Sequence, residues 1–146
     1  MKTVLGLFGP PRAGKNTVIS LMRSIAEWYP LSISDEIKRY SHEITGRVFE
    51  DHEKDVPQES LNGRTPRDLY IYIGQLDEFR HDLWAGPVAD IIYKMDNYQR
   101  FVIESVGKNF QWQATLNRRP CRRMLLCEVH QEGRSYDTSG PIKDDD

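Results

Sequence analysis

The residues best suited to chemistry stand near the start of the chain, in Gly9-Pro10-Pro11-Arg12-Ala13-Gly14-Lys15-Asn16-Thr17. A glycine, four residues and then Gly-Lys is the spacing of a loop that cradles phosphate. Glycines let the backbone turn tightly, so that several N–H groups converge on one anion. A helix starting at once turns its positive dipole end to the same phosphate. Lys15 then reaches toward the β- and γ-phosphates and follows the charge as it moves in transfer. The expected phosphate-binding set is Gly9, Arg12, Ala13, Gly14, Lys15, Asn16 and Thr17. The residue after the lysine is ordinarily Ser or Thr, whose hydroxyl ligates magnesium. Here it is Asn16, with Thr17 next. The Asn16 amide oxygen can accept a magnesium-bound water, and Thr17 can take over contact with phosphate or metal.

Five further sites carry charge in useful places. Arg67 stands at the first turn of a helix that opens Thr65-Pro66-Arg67-Asp68, where a cation is electrostatically misplaced unless an anion comes. Arg80 follows on the same segment. Thirteen residues at ~100° each put the two side chains roughly 220° apart around an unbroken helix. They share a pocket only if the helix bends, with Gly74 as the place for it. Asp35 follows a short second strand; it is either near a bound ligand or a helix cap. Glu104 ends a third strand and can hold magnesium through water. Arg118-Arg119-Pro120-Cys121-Arg122-Arg123 is the densest basic cluster, either a lid over a nucleotide or a solvated loop. Cys121 beside arginines is placed where a thiol pKa can fall, although an idle thiol is the simpler reading.

These residues need a scaffold, and the hydrophobic pattern supplies one. Thr3–Phe8 is a bounded apolar run, the pattern of a buried strand in a parallel sheet. Val18, Leu21, Met22, Ile25 and Trp28 fall at helical spacing, which predicts a helix over Lys15–Trp28 ended by Pro30. Leu31–Ser34 reads as a second strand and Asp35–Ile44 as a helix stopping at Gly46. Arg47–Arg64 is charged and aperiodic, a long loop of the kind that carries function or is disordered. Thr65 as cap, Pro66 at the first position and Asp68 three after the cap start the next helix, with Leu69, Ile73, Leu76 and Phe79 as its apolar stripe. Gly86-Pro87 restarts a helix with Val88, Ile91, Ile92 and Met95 inward. Phe101–Val106 is a third strand, Lys108–Asn117 a helix, Met124–Val129 a last strand, and residues 140–146 an acidic tail. Strands alternating with helices predict an α/β fold with helices on both faces of a short, mostly parallel sheet. One domain spans residues 1–146.

Composition narrows the classes. Twenty Lys and Arg against 22 Asp and Glu leave a net charge of −2. That is not the basic footprint of a nucleic-acid binder. No apolar run of ~18 residues crosses a membrane, and the apolar stretch at the start is too brief for a signal peptide. Cytoplasmic residence is the expectation. Two cysteines make no disulfide framework, and the four histidines show no metal-ligand spacing. The hydrophobic fraction of 38% implies a small core, so that a ligand or a second copy of the chain would help to order it.

The phosphate-loop stretch resembles that of the P-loop nucleoside monophosphate kinases. Lys54, Pro57, Gly63-Arg64-Thr65-Pro66-Arg67-Asp68, Ile73-Gly74 and Arg80 narrow the likeness to the phage-type deoxynucleoside monophosphate kinases. The resemblance covers roughly residues 3–130, discontinuously. It implies a three-layer α/β/α P-loop NTPase fold and ATP with Mg²⁺ as cofactors. It also implies transfer of the γ-phosphoryl group to a deoxynucleoside monophosphate, in a host cytoplasm if the gene is a phage's. Lys15, Arg67 and Arg80 become the catalytic set, and Arg67 and Arg80, with Asp35, the acceptor set. Asn16, Thr17 and Glu104 fall to the metal. Two departures stand out. Ser105 and Gly107 occupy the places where those kinases show Asp and Arg after the third strand, and four strands are expected where the family usually has five. The rival readings are a nucleotide-binding protein without turnover, acting as sensor or in host interaction, and a kinase for another small acceptor.

Overall fold

The computed structural model describes residues 1–10 and 13–130. Arg12 and the acidic tail lie outside the described residues. Four strands form one parallel sheet: β1 (Thr3–Phe8), β2 (Tyr29–Leu31), β3 (Arg100–Ile103) and β4 (Arg123–Glu128). Their order is β2-β3-β1-β4. β1 is central, with Gly6 opposite Ile103 on one side and Leu126 on the other.

The helices are α1 (Lys15–Ile25), α2 (Ile33–Thr45), α3 (Pro66–Gly74), α4 (Ala85–Lys94) and α5 (Asn109–Asn117). Strand alternation divides them between the faces. Leu5, Leu7 and Val102 point to one side, where Val18, Ile19 and Met22 of α1 cover them. Val4, Phe101 and Ile103 point to the other, against Ile33, Ile73, Val88, Ile92 and Trp112 from α2, α3, α4 and α5. Helices on both sides of a parallel sheet make the chain an α/β layer structure. Both core tryptophans sit on the second face, Trp84 5% and Trp112 9% exposed. Gly6 makes room for one of them: a Cβ there would lie 2.7 Å from the Trp112 ring.

Several boundaries differ from the sequence reading. α1 stops at Ile25, and the second strand is Tyr29–Leu31 with Pro30 inside it. Proline is tolerated there because, among the described residues, β2 is an edge strand that pairs with β3 alone. α2 therefore begins at Ile33 behind the Ser32 cap, which puts Asp35 inside its first turn rather than at the cap. β3 is shorter than the apolar run, ending at Ile103. The long 47–64 segment holds two 3₁₀ turns, Asp51–Glu53 and Glu59–Leu61. Phe79, assigned to an apolar stripe, is 89% exposed, because α3 ends at Gly74 and a 3₁₀ turn over Gln75–Glu78 breaks the periodicity.

Candidate functional site

The connections leaving β1 and β3 cover opposite faces, by α1 and by α5. The crevice between the ends of these two strands is thus the topological switch point, where α/β sheets collect ligands. The phosphate-loop residues stand at one lip of it. Gly9 follows β1 directly and cannot carry a side chain, since a Cβ would lie 2.6 Å from the Val129 carbonyl oxygen. The chain turns with Ala13 N–H donating to the Pro10 carbonyl at 3.2 Å. Gly14 caps α1 in the left-handed region, φ 99°, which a side chain rarely adopts. Lys15 is buried, 6% exposed, and its Nζ donates to the Gly9 carbonyl at 3.1 Å. Ala13 is buried beneath the loop, while Asn16 and Thr17 are exposed on the first turn. The Lys15 ammonium thus lies against the Gly9 backbone at the start of α1, and a helix start of this kind favours an anion.

The other lip is the segment after β3. Glu104 N–H donates to the Leu31 carbonyl at 2.8 Å and so continues the ladder to β2. Val106 N–H donates to the Leu7 carbonyl at 2.9 Å, so the chain changes partner strand across Ser105. Gln111 Oε1 accepts from Gly107 N–H at 3.0 Å and Lys108 N–H at 3.2 Å. Asp77, fully buried, receives Lys108 Nζ at 2.8 Å and Gln111 Nε2 at 3.0 Å. This network fastens the strand-end segment and the start of α5 to the 3₁₀ turn after α3. Sequence reasoning missed it: its members lie 31 and 34 residues apart in the chain.

The acceptor candidates are placed less centrally. Arg67, at the start of α3, holds Asp55 with two bonds, Nε at 2.6 Å and Nη2 at 3.2 Å. That bond holds the Asp55 carboxyl below its usual range. Arg80 bonds Asp82 at 2.9 Å, and Asp82 also takes Arg118 at 2.6 Å. Arg118 and then Arg80 lower the Asp82 pKa. The break at Gly74 was the condition for Arg67 and Arg80 to meet, yet each is bonded to a different carboxylate. Through Asp82, Arg80 is linked to Arg118 at the end of α5. Asp35 is exposed on the first turn of α2, which follows the carboxyl end of β2.

Beside the start of α3 lies a cavity of about 300 Å³ lined by Ser60, Leu61, Asn62, Arg64, Thr65, Asp68, Leu69 and Tyr72. Buried Gln58 shapes this neck: its N–H donates to the Arg64 carbonyl, and its carbonyl accepts from Leu61 and Gly63. A larger cavity, about 480 Å³, is lined by Arg23, Trp28, Tyr29 and Tyr98 among others, where β2 begins. It lies at the wrong end for the phosphate loop, since all strands run the same way.

The same direction rule decides the basic cluster. Residues 118–123 lead into the start of β4, so they lie at the amino ends of the strands. A strand of six residues is ~20 Å long. The cluster therefore does not form a lid over the phosphate loop. Arg118 ties α5 to Asp82 and Asp90 of the α4 region. Burial pushes the Cys121 thiol up, the opposite direction from activation by the neighbouring arginines. Among the described residues no group of three or more His, Cys, Asp or Glu could hold a metal ion, and no helix is long and apolar enough to cross a membrane.

No protein-family model matches this chain, and no curated protein matches it.

Proposed function

We propose that this chain is a P-loop kinase that moves the γ-phosphoryl group of ATP onto a deoxynucleoside monophosphate, giving ADP and the diphosphate. The observation that carries the reading is the Gly9–Lys15 loop, set between β1 and α1 at the switch point of a parallel sheet. Phosphoryl transfer needs positioning and charge neutralisation more than covalent chemistry. Loop and helix N–H groups hold the ATP phosphates, and Lys15 exchanges the Gly9 carbonyl for the transferring group. Asn16, Thr17 and Glu104 are the residues that would hold magnesium. Two amide or hydroxyl oxygens and one carboxylate fit an ion that keeps several waters and takes phosphate as its other ligands. Bound magnesium would neutralise charge on the β- and γ-phosphates. Arg67 is the first choice for the acceptor phosphate, which replaces Asp55 on a guanidinium fork suited to either anion. Arg80 is the second. Asp35 stands on the side of the acceptor nucleoside.

A second reading, nucleotide binding without turnover, is favoured by one observation: Arg67 and Arg80 are each bonded to a carboxylate, Asp55 and Asp82. The test is a panel. The protein is incubated with Mg-ATP and each deoxynucleoside monophosphate, and diphosphate is measured beside Lys15→Ala. Diphosphate from at least one acceptor, lost in the variant, is expected. ATP binding with no product from any acceptor overturns the kinase and leaves the second reading.

A further inference from the structure

The strand-end segment after β3 is closely satisfied, with one exception. Glu104 N–H is bonded to Leu31, Val106 N–H to Leu7, Gly107 and Lys108 N–H to Gln111, and Lys108 Nζ to Asp77. Ser105 sits amid these bonds, 5% exposed. Among the described residues its Oγ is the one buried side-chain polar atom without a hydrogen-bond partner. A buried hydroxyl left unpaired is costly, and such groups in native proteins call for an explanation. Looseness is not the explanation, because the residues on both sides are bonded to separate strands. The position is informative as well. The next residue, Val106, bonds the Leu7 carbonyl, which sets Ser105 beside the last residues of β1, just before the phosphate loop begins.

We propose that the Ser105 hydroxyl donates a hydrogen bond to a phosphate oxygen of the nucleotide held by the Gly9–Lys15 loop. This rests on the phosphate-loop reading of the site. Rotation about the single Cα–Cβ bond re-aims the hydroxyl among three staggered positions. The group then finds in the bound state the partner that the free protein does not give it. A neutral donor at this point adds no negative charge beside the phosphates, unlike a strand-end carboxylate.

The test is Mg-ADP binding by calorimetry, together with the melting temperature of the nucleotide-free protein. Wild type is compared with Ser105→Ala and with Ser105→Cys, which keeps the shape with a somewhat larger atom but is a weak donor. Both variants should bind Mg-ADP about tenfold more weakly, the size of one hydrogen bond to a charged group. Neither should melt lower than wild type when free of nucleotide, because nothing there is bonded to the hydroxyl. Affinity within threefold of wild type overturns the proposal. So does a fall in the nucleotide-free melting temperature, or failure of the variants to fold, either of which makes the hydroxyl a structural partner. Lys15→Met separates the two levels. If wild type does not bind Mg-ADP, or Lys15→Met binds it equally well, the phosphate-loop reading fails and takes this one with it. If Lys15→Met loses binding and the Ser105 variants do not, only the Ser105 assignment fails.

Discussion

At the carboxyl ends of β1 and β3 the polar groups are held by backbone bonds and a buried network, with Asp77 fully enclosed. Around Arg67 and Arg80 the charged groups are held by surface pairs instead: the Arg67 and Asp55 side chains are 35% and 63% exposed, those of Arg80 and Asp82 67% and 30%. The first region is built before any ligand comes, as phosphate positioning demands. The second consists of pairs that are worth little individually and exchange easily for another anion. In the proposed reaction, the donor side is rigid and the acceptor side is assembled by its substrate.

The largest effect should come from the rigid side. Lys15→Ala is expected to lower kcat by about 10²–10³, the usual cost of deleting one preorganised charge-stabilising donor, as read by steady-state turnover. Comparable in size, but read in stability rather than turnover, is Asp77→Ala. It strands Lys108 and Gln111 in a mostly buried place, and breaking a buried pair from one side costs ~3–5 kcal/mol. Denaturant unfolding measures this. Replacing the ion pair, Asp77→Leu with Lys108→Met, should recover part of that loss, because well-packed apolar groups can replace a buried pair at little cost, while Gln111 Nε2 still lacks its acceptor.

How far this contrast was legible in the sequence depends on chain distance. The phosphate loop could be read because its parts are contiguous and flanked by a bounded apolar run and a helical stripe. The break at Gly74 was also within reach. The Asp77, Lys108 and Gln111 network was not, because only the packing of α3 against the β3–α5 connection joins those residues. Nor was the orphan hydroxyl of Ser105, which spacing cannot reveal. Pro30 misled: taken as a helix stop, it shifted the second strand and made Asp35 a possible cap. The arginines at 118–123 were open to a lid reading until strand direction put them at the opposite end of the sheet.

On the exchangeable side the effects should be smaller. Asp55→Asn leaves the melting temperature nearly unchanged but releases Arg67 from its carboxylate. The KM for the acceptor monophosphate should fall a few-fold, with the KM for ATP unmoved. An unchanged acceptor KM would remove Arg67 from the acceptor site. The smallest effect is a pH dependence. Arg118 and Arg80 lower the folded-state pKa of Asp82. Its stabilising contribution is therefore full above the ordinary carboxylate value near ~3.9 and is lost as pH falls through the lower folded value. The difference in melting temperature between wild type and Asp82→Asn should be constant from pH 7 to 5 and shrink below about pH 4.

One measurement bears most directly on the central claim. Phosphorus NMR of the protein with Mg-ATP and a deoxynucleoside monophosphate follows the γ-phosphorus itself. The ATP γ signal is expected to decline as a deoxynucleoside diphosphate β signal grows in equal amount. ATP that persists unchanged beside every acceptor, or a γ signal that passes only to inorganic phosphate, would contradict it.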